Sequence, residues 1–208
     1  LLTSDRIADF LEKKDEDDPF VVVPSPDPRL RNSGAVSFDV RLGCWFASIR
    51  KARKPVITVG SEHQEQLIKE QYIPFGQEYY LHPGCFTLAI TLEWFRFPKK
   101  LSGVIGGKSS WGRRGLIVET AAVIHPGFTG CLTLELSNVG ELPIELKPGL
   151  FIAQVCIYSS VPVETKDRVN IDKTTFFGQR KPTLGIIQPD AIANKLMTPT
   201  RACDIALV

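Results

Sequence analysis

The chain of 208 residues has one methionine, three tryptophans and three histidines. Its five cysteines (Cys44, Cys85, Cys131, Cys156 and Cys203) are scattered and form no Cys-x-x-Cys pair. An odd, dispersed set argues against a small disulfide framework and for reduced thiols. His63, His82 and His125 lack metal-ligand spacing, so a protein zinc site is not expected. No apolar run approaches the roughly 20 residues that a membrane-spanning helix needs, and no secretory leader pattern is expected. Twenty-five Lys and Arg against 23 Asp and Glu leave a net charge of +2. That balance supplies no broad field for nucleic acid or an anionic membrane. Any anion site must therefore be local. These absences together predict a cytoplasmic protein with no nucleic-acid or membrane partner.

What remains is ordinary globular material, 43% hydrophobic and 23% charged, in a length that suits one domain with a substantial core. Ser4–Leu11 reads as a short helix, with Ile7, Phe10 and Leu11 on one face and Ser4 or Asp5 as cap. Pro24, Pro26 and Pro28 mark an extended link. From Ala35 onward strand follows strand: Ala35–Leu42, Pro55–Val59, Glu78–Leu81, Phe86–Trp94, Leu101–Ile105, Cys131–Leu136, Ile144–Leu146 and Phe151–Tyr158. Phe86, Leu88, Ile90 and Leu92 alternate with Thr87, Ala89, Thr91 and Glu93, which predicts a sheet with one buried face. Pro-Gly turns at Pro83-Gly84, Pro126-Gly127 and Pro148-Gly149 favour an antiparallel sandwich or barrel. Helices are predicted at Glu62–Gln71 and Asp190–Met197.

Two segments carry chemistry. Gly107-Lys108-Ser109-Ser110-Trp111-Gly112-Arg113-Arg114-Gly115-Leu116 packs hydroxyls, cations and glycines into ten positions. Polyphosphates need this mixture of donors, fixed positive charge and backbone without Cβ atoms. It is not a P-loop, because the earlier glycine and the surrounding βαβ pattern are missing. About twenty residues on, Thr133-Leu134-Glu135-Leu136-Ser137-Asn138 sets one carboxylate on the polar side of a strand. Taken alone, the first segment also reads as an ordinary loop and Glu135 as a solvated strand residue. The residues by themselves leave both readings open.

The ordered set of motifs resembles the dCTP deaminase family, which is related to dUTPases. The set runs through Ala35 to Gly43, Tyr80 to Gly84, Leu88 to Glu93, Gly107 to Leu116, Ile124 to Gly130, Leu134 to Asn138, Pro148 to Gln154 and Phe176 to Leu184. The resemblance covers roughly residues 3 to 184, so the reading divides the chain into a nucleotide-binding domain, 1–184, and an extension, 185–208, of unassigned role. It implies a mainly β fold, a distorted jelly-roll-like barrel of the dUTPase type with a few short helices. It also implies a homotrimer with sites shared between subunits, and Mg²⁺ carried on the nucleotide rather than in a protein cage. The expected reaction is zinc-independent hydrolysis of dCTP to dUTP and ammonia, with dUTP or dTTP as product or effector.

By the same resemblance Glu135, Arg113 and Ser109 are the catalytic residues. Glu135 is the general base and acid, a role that favours a carboxyl titrating towards neutrality through partial burial. Lys108, Ser109, Ser110, Arg113, Ala121, Ala122, His125, Gln154, Phe176 and Gln179 are the expected substrate contacts. No protein metal ligand is expected. Three segments depart from the family's pattern. His125 stands where Asp is usual, and in the dUTPase relatives that Asp orients the hydrolytic water, so its loss argues against a triphosphate-cleaving step. The 118–122 loop is one residue shorter and carries Glu119 where His is common. Thr175 and Phe176 replace a usual Lys and Tyr. Two other readings stand beside the leading one. One is a nucleotide-binding sensor of the same fold, and the other is a deaminase that also cleaves the triphosphate.

Overall fold

Along Thr129–Asn138 every second residue is buried, with Leu132, Leu134 and Leu136 inward and Thr133, Glu135 and Ser137 half-covered on the other side. That period of two recurs through most of the chain and builds a sheet wrapped around an aliphatic and aromatic core. A computed structural model describes residues 1–12, 17–49, 68–120, 122–161, 178–185 and 192–193. In chain order the elements are α1 (Ser4–Glu12), β1 (Val21–Val23), a 3₁₀ turn (Pro28–Leu30), β2 (Ser37–Ile49), β3 (Ile68–Tyr72), β4 (Tyr79–Leu81) and β5 (Phe86–Arg96). They continue with β6 (Leu101–Gly107), α2 (Ser109–Gly112), β7 (Leu116–Glu119), β8 (Val123–Ile124), β9 (Thr129–Asn138), β10 (Ile144–Leu146) and β11 (Phe151–Ser159).

Nine of these strands form one antiparallel sheet in the order β7-β9-β5-β2-β11-β6-β8, with β1 added to β5 and β3 to β2. β4 and β10 form a separate ribbon. The large sheet curls until its β7 edge meets β6. A Cβ on Gly107 would lie 3.0 Å from the Val118 Cβ, so only glycine lets the two backbones approach there. Inside the curl lie Val40, Leu42, Phe46, Phe95, Leu134 and Ile152, all at or near zero exposure.

β2 holds the halves together. Its first residues pair with β11 (Phe38 opposite Val155, Asp39 opposite Gln154), and its last residues pair with β5 and β3. The strand bends at Gly43, where a Cβ would lie 2.9 Å from the Ile90 carbonyl oxygen and 3.0 Å from that of Thr91. The chain beyond β11 returns across the outer face. Gly178 N–H donates to Thr129 O at 2.7 Å and Cys131 N–H to Gln179 O at 2.9 Å. The Lys181 ammonium sits 3.9 Å over the Trp45 ring and 3.0 Å from Glu70.

Two sequence expectations are corrected here. The predicted helix at Glu62–Gln71 is, over its described part, the strand β3, paired with β2 through Trp45 opposite Tyr72. Residues 62–67 lie outside the described residues. Lys, Glu and Gln favour helix weakly, and sheet pairing with a Trp–Tyr contact at 5.1 Å overrides that preference. β5 does not have one buried face, because Thr87, Leu88, Ala89, Ile90 and Thr91 are all buried. The strand lies mid-sheet between β2 and β9. Its inward threonines stay satisfied: Thr91 Oγ1 donates to Glu93 O at 2.8 Å and accepts from Leu132 N–H at 2.9 Å. The predicted strand at Pro55–Val59 lies outside the described residues, as does most of the predicted helix at 190–197, of which 192–193 are helical.

Candidate active site

β6 ends at Gly107, and the chain turns through a single helical turn, α2, before entering β7. One turn cannot hold itself, since helix nucleation is costly and its gains come from length. No side chain caps the N-terminus of α2. The segment is instead tied to β11: Lys108 N–H donates to Ile152 O at 3.4 Å, and Trp111 Nε1–H donates to Phe151 O at 2.8 Å. Within the loop, Arg113 N–H donates to Ser109 O at 3.0 Å and the Arg114 guanidinium to Ser110 O at 2.7 Å.

The tethered loop borders an open concavity of about 460 Å³. Lys108, Ser109 and Ser110 line one side, Gln154 of β11 the floor, and Ile117 and Val118 of β7 the other side. Ser109 and Ser110 are exposed, so their hydroxyls are presented to solvent and to any phosphate that enters. Gln154 is held by the Ser37 hydroxyl, which donates to its Oε1 at 3.2 Å. The Lys108 ammonium is ion-paired with Asp39, the residue opposite Gln154 on β2. It also lies 5.7 Å from the centre of the Phe151 ring.

A second charged pair stands beside the first. Glu93 is 1% exposed. It accepts Arg41 N–H at 2.8 Å on one oxygen and the Arg41 guanidinium at 3.0 Å on the other. Burial pushes the Glu93 carboxyl above the usual carboxylate range, and the hydrogen bonds from Arg41 pull the other way. The same guanidinium lies 4.5 Å over the Phe151 ring. Asp39, Arg41, Glu93, Trp111 and Phe151 received no role from the sequence. A signal was present for the charged three: Asp39 and Arg41 sit between core residues of β2, and Glu93 is a carboxylate between two apolar residues of β5.

The structure thus brings four of the expected residues to one concavity: Lys108, Ser109, Ser110 and Gln154. The other described ones do not line it. Arg113 is exposed at the end of α2 and does not line the concavity. Glu135 is half-buried on the outer face of β9, between Leu88 of β5 and Glu119 of β7. Gln179 reaches that same face, where its Oε1 accepts the Thr133 hydroxyl at 3.5 Å. Ala122 is exposed, and its carbonyl accepts Ile105 N–H at 2.9 Å. His125 is exposed at the turn before β9, with its carbonyl accepting Phe128 N–H at 3.2 Å. Ala121 and Phe176 lie outside the described residues. β7 connects the two groups, since Ile117 and Val118 border the concavity while Glu119 stands opposite Glu135. Among the described residues no three His, Cys, Asp or Glu side chains gather as a metal cage.

Comparison with known proteins adds to this geometry. Residues 1–160 match the model of the dCTP deaminase-like family. A Mycobacterium leprae protein named "dCTP deaminase, dUMP-forming" is 40% identical over 166 residues, covering 79% of this chain and 85% of the relative. A Mycobacterium tuberculosis protein of the same name is 42% identical over 149 residues, 71% of this chain and 78% of the relative. Among solved structures, the 2'-deoxycytidine 5'-triphosphate deaminase of Agrobacterium tumefaciens superposes with a TM-score of 0.56 at 23% identity. That match covers 76% of this chain and 47% of the solved chain, so this chain spans about half its length, and the likeness is one of fold. The curled sheet, the loop at 107–116 and a match over residues 1–160 agree, and the chain belongs to the dCTP deaminase-like family.

Proposed function

We propose that this protein hydrolyses dCTP, with water displacing the C4 amino group to give dUTP and ammonia. The observation that carries the reading is the hydroxyl- and cation-lined concavity at 107–110, joined through β7 to the strand that bears Glu135. Lys108, Ser109 and Ser110 hold the phosphates, which arrive with Mg²⁺ as part of the substrate. Gln154 contacts the nucleotide from the concavity floor, and Gln179 from the chain that crosses the Glu135 face. Ala121, Ala122, His125 and Phe176 belong to the base, sugar and closing contacts.

Glu135 takes a proton from water as the oxygen attacks C4, and delivers it to the ring nitrogen of the tetrahedral adduct. Glu135 then passes the proton of the adduct's C4 hydroxyl to the amino group, which leaves as ammonia while the C4 carbonyl forms. Arg113 stabilises the negative charge that develops, with Ser109 beside it. No zinc is required, because the carboxylate does the work that a metal-bound hydroxide does in zinc deaminases. Within one chain Glu135 does not line the 107–110 concavity. This supports sites shared between subunits of a homotrimer, with cradle and carboxylate supplied by different copies.

A second reading has the reaction continue to dUMP and pyrophosphate, and the name borne by the mycobacterial relatives favours it. His125, in place of a water-orienting Asp, argues for release of dUTP. Incubation with Mg²⁺ and each pyrimidine nucleotide, with ammonia and pyrophosphate assayed separately, decides between them. Ammonia alone supports dUTP formation, and stoichiometric pyrophosphate supports dUMP formation. Binding with neither product would reduce the protein to a nucleotide sensor.

A further inference from the structure

The loop that lines the concavity has little of its own to hold it. α2 is one turn with no side-chain cap at its N-terminus, and Ser109, Ser110 and Gly112 are exposed. Its tether, the Phe151 carbonyl, lies where the β11–β2 register slips between Phe151 and Ala153. Phe151 stands opposite Arg41 in the ladder, on the last pair before the slip. Two cations meet the Phe151 ring, Arg41 at 4.5 Å and Lys108 at 5.7 Å. Arg41 is fixed in turn by both oxygens of Glu93, a carboxylate rooted in the core.

The geometry points to Arg41 as a positioning residue of the phosphate cradle: held by Glu93, it pins Phe151, and Phe151 holds Trp111 and the Lys108 ammonium in place. Arg41 does not itself line the concavity. Its planar guanidinium does two things at once, donating through Nη1 to one Glu93 oxygen at 3.0 Å and lying over the Phe151 ring at 4.5 Å. A lysine ammonium has no planar face to lay on the ring. Phe151 then serves as a two-sided part, with its ring facing the cations and its carbonyl gripping the indole. What the relay provides is a cradle already set before nucleotide arrives, so that little order has to be imposed on binding.

The inference rests on reading 107–110 as a phosphate cradle, and the experiment separates the two. Binding of Mg²⁺-dCTP and of dCMP is measured calorimetrically for the wild-type protein, Arg41→Lys and Phe151→Leu. Exchange of the Trp111 indole proton is followed without nucleotide by ¹⁵N NMR, assigned through Trp111→Phe. The relay predicts that both variants lose roughly tenfold or more in dCTP affinity and under about threefold for dCMP, which carries a single phosphate. The indole proton exchanges faster in both. Wild-type dCTP affinity in either folded variant, an equal loss for dCMP, or unchanged indole exchange overturns the proposal. Phe151 is 38% exposed, so Phe151→Leu decides the matter if Arg41→Lys fails to fold. If the wild-type protein binds no dCTP, the cradle reading falls on that result, and indole exchange still decides the relay.

Discussion

At the scale of single residues, Glu135 and Cys131 stand two turns of the pleat apart on one strand, and each makes a separate prediction. Replacing Glu135 with Gln keeps its shape and removes the proton acceptor. Turnover should fall roughly 10²–10⁴-fold while dCTP binding persists. An ammonia assay showing near wild-type speed would remove Glu135 from the mechanism. Cys131 is half-buried, and burial pushes its thiol up to about 11 from 9.0, with Arg180 opposing and Glu93 adding. Between about pH 9 and 11 the unfolded chain sheds this proton and the folded one keeps it. The contribution is therefore whole below pH 9 and declines as pH rises through that window. Denaturation midpoints should fall more steeply from pH 8.5 to 10.5 in the wild type than in Cys131→Ala, and matching slopes would contradict the assignment. Much of the cradle was legible at this scale, because Lys108, Ser109 and Ser110 are neighbours in sequence and Gln154 carries a motif. The ring of Asp39, Arg41, Glu93 and Phe151 was not. Its members come from three strands, and which strands face each other is a tertiary fact.

At the scale of elements, β2 is the piece on which the sheet depends. It serves β11 with one half and β5 and β3 with the other, and it changes partners at Gly43. Gly43→Ala would press a methyl group onto the carbonyl oxygens of Ile90 and Thr91. Neither is a flexible side chain that can swing aside. A loss of about 1–3 kcal/mol in urea unfolding is expected, and an unchanged midpoint would mean that the close approach is not there. Elements defined by local pattern read well from sequence: α1 extends one residue past its expected end, β10 matches its expected bounds, and β9 keeps the predicted alternation. β3 did not read as a strand, since its residues carry no period of two and gain order only beside Trp45. β5 showed its alternation but not its surroundings. A strand covered on both sides cannot be told from a half-buried one until its neighbours are placed.

At the scale of the whole molecule, the proposal of shared sites makes assembly a condition of activity. Light scattering at micromolar concentration should report three chain masses of 23.1 kDa each, and dilution that yields monomers should abolish ammonia release. A fully active monomer would end the shared-site reading. The double service of β2 also has a consequence for the order in which the molecule can be made. Ala47 meets Thr87, 40 residues further along, but Ser37 waits for Gln154, 117 residues further along. During synthesis at about 5–20 residues per second, the stretch from Thr87 to Gln154 takes roughly 3–13 s to appear. For that interval one half of β2 is zipped into its sheet while the half bearing Asp39 and Arg41 hangs as an open edge. Such an edge can pair with another nascent chain before β11 arrives. The strand that unites the finished protein is thus the one most exposed to misassembly at birth.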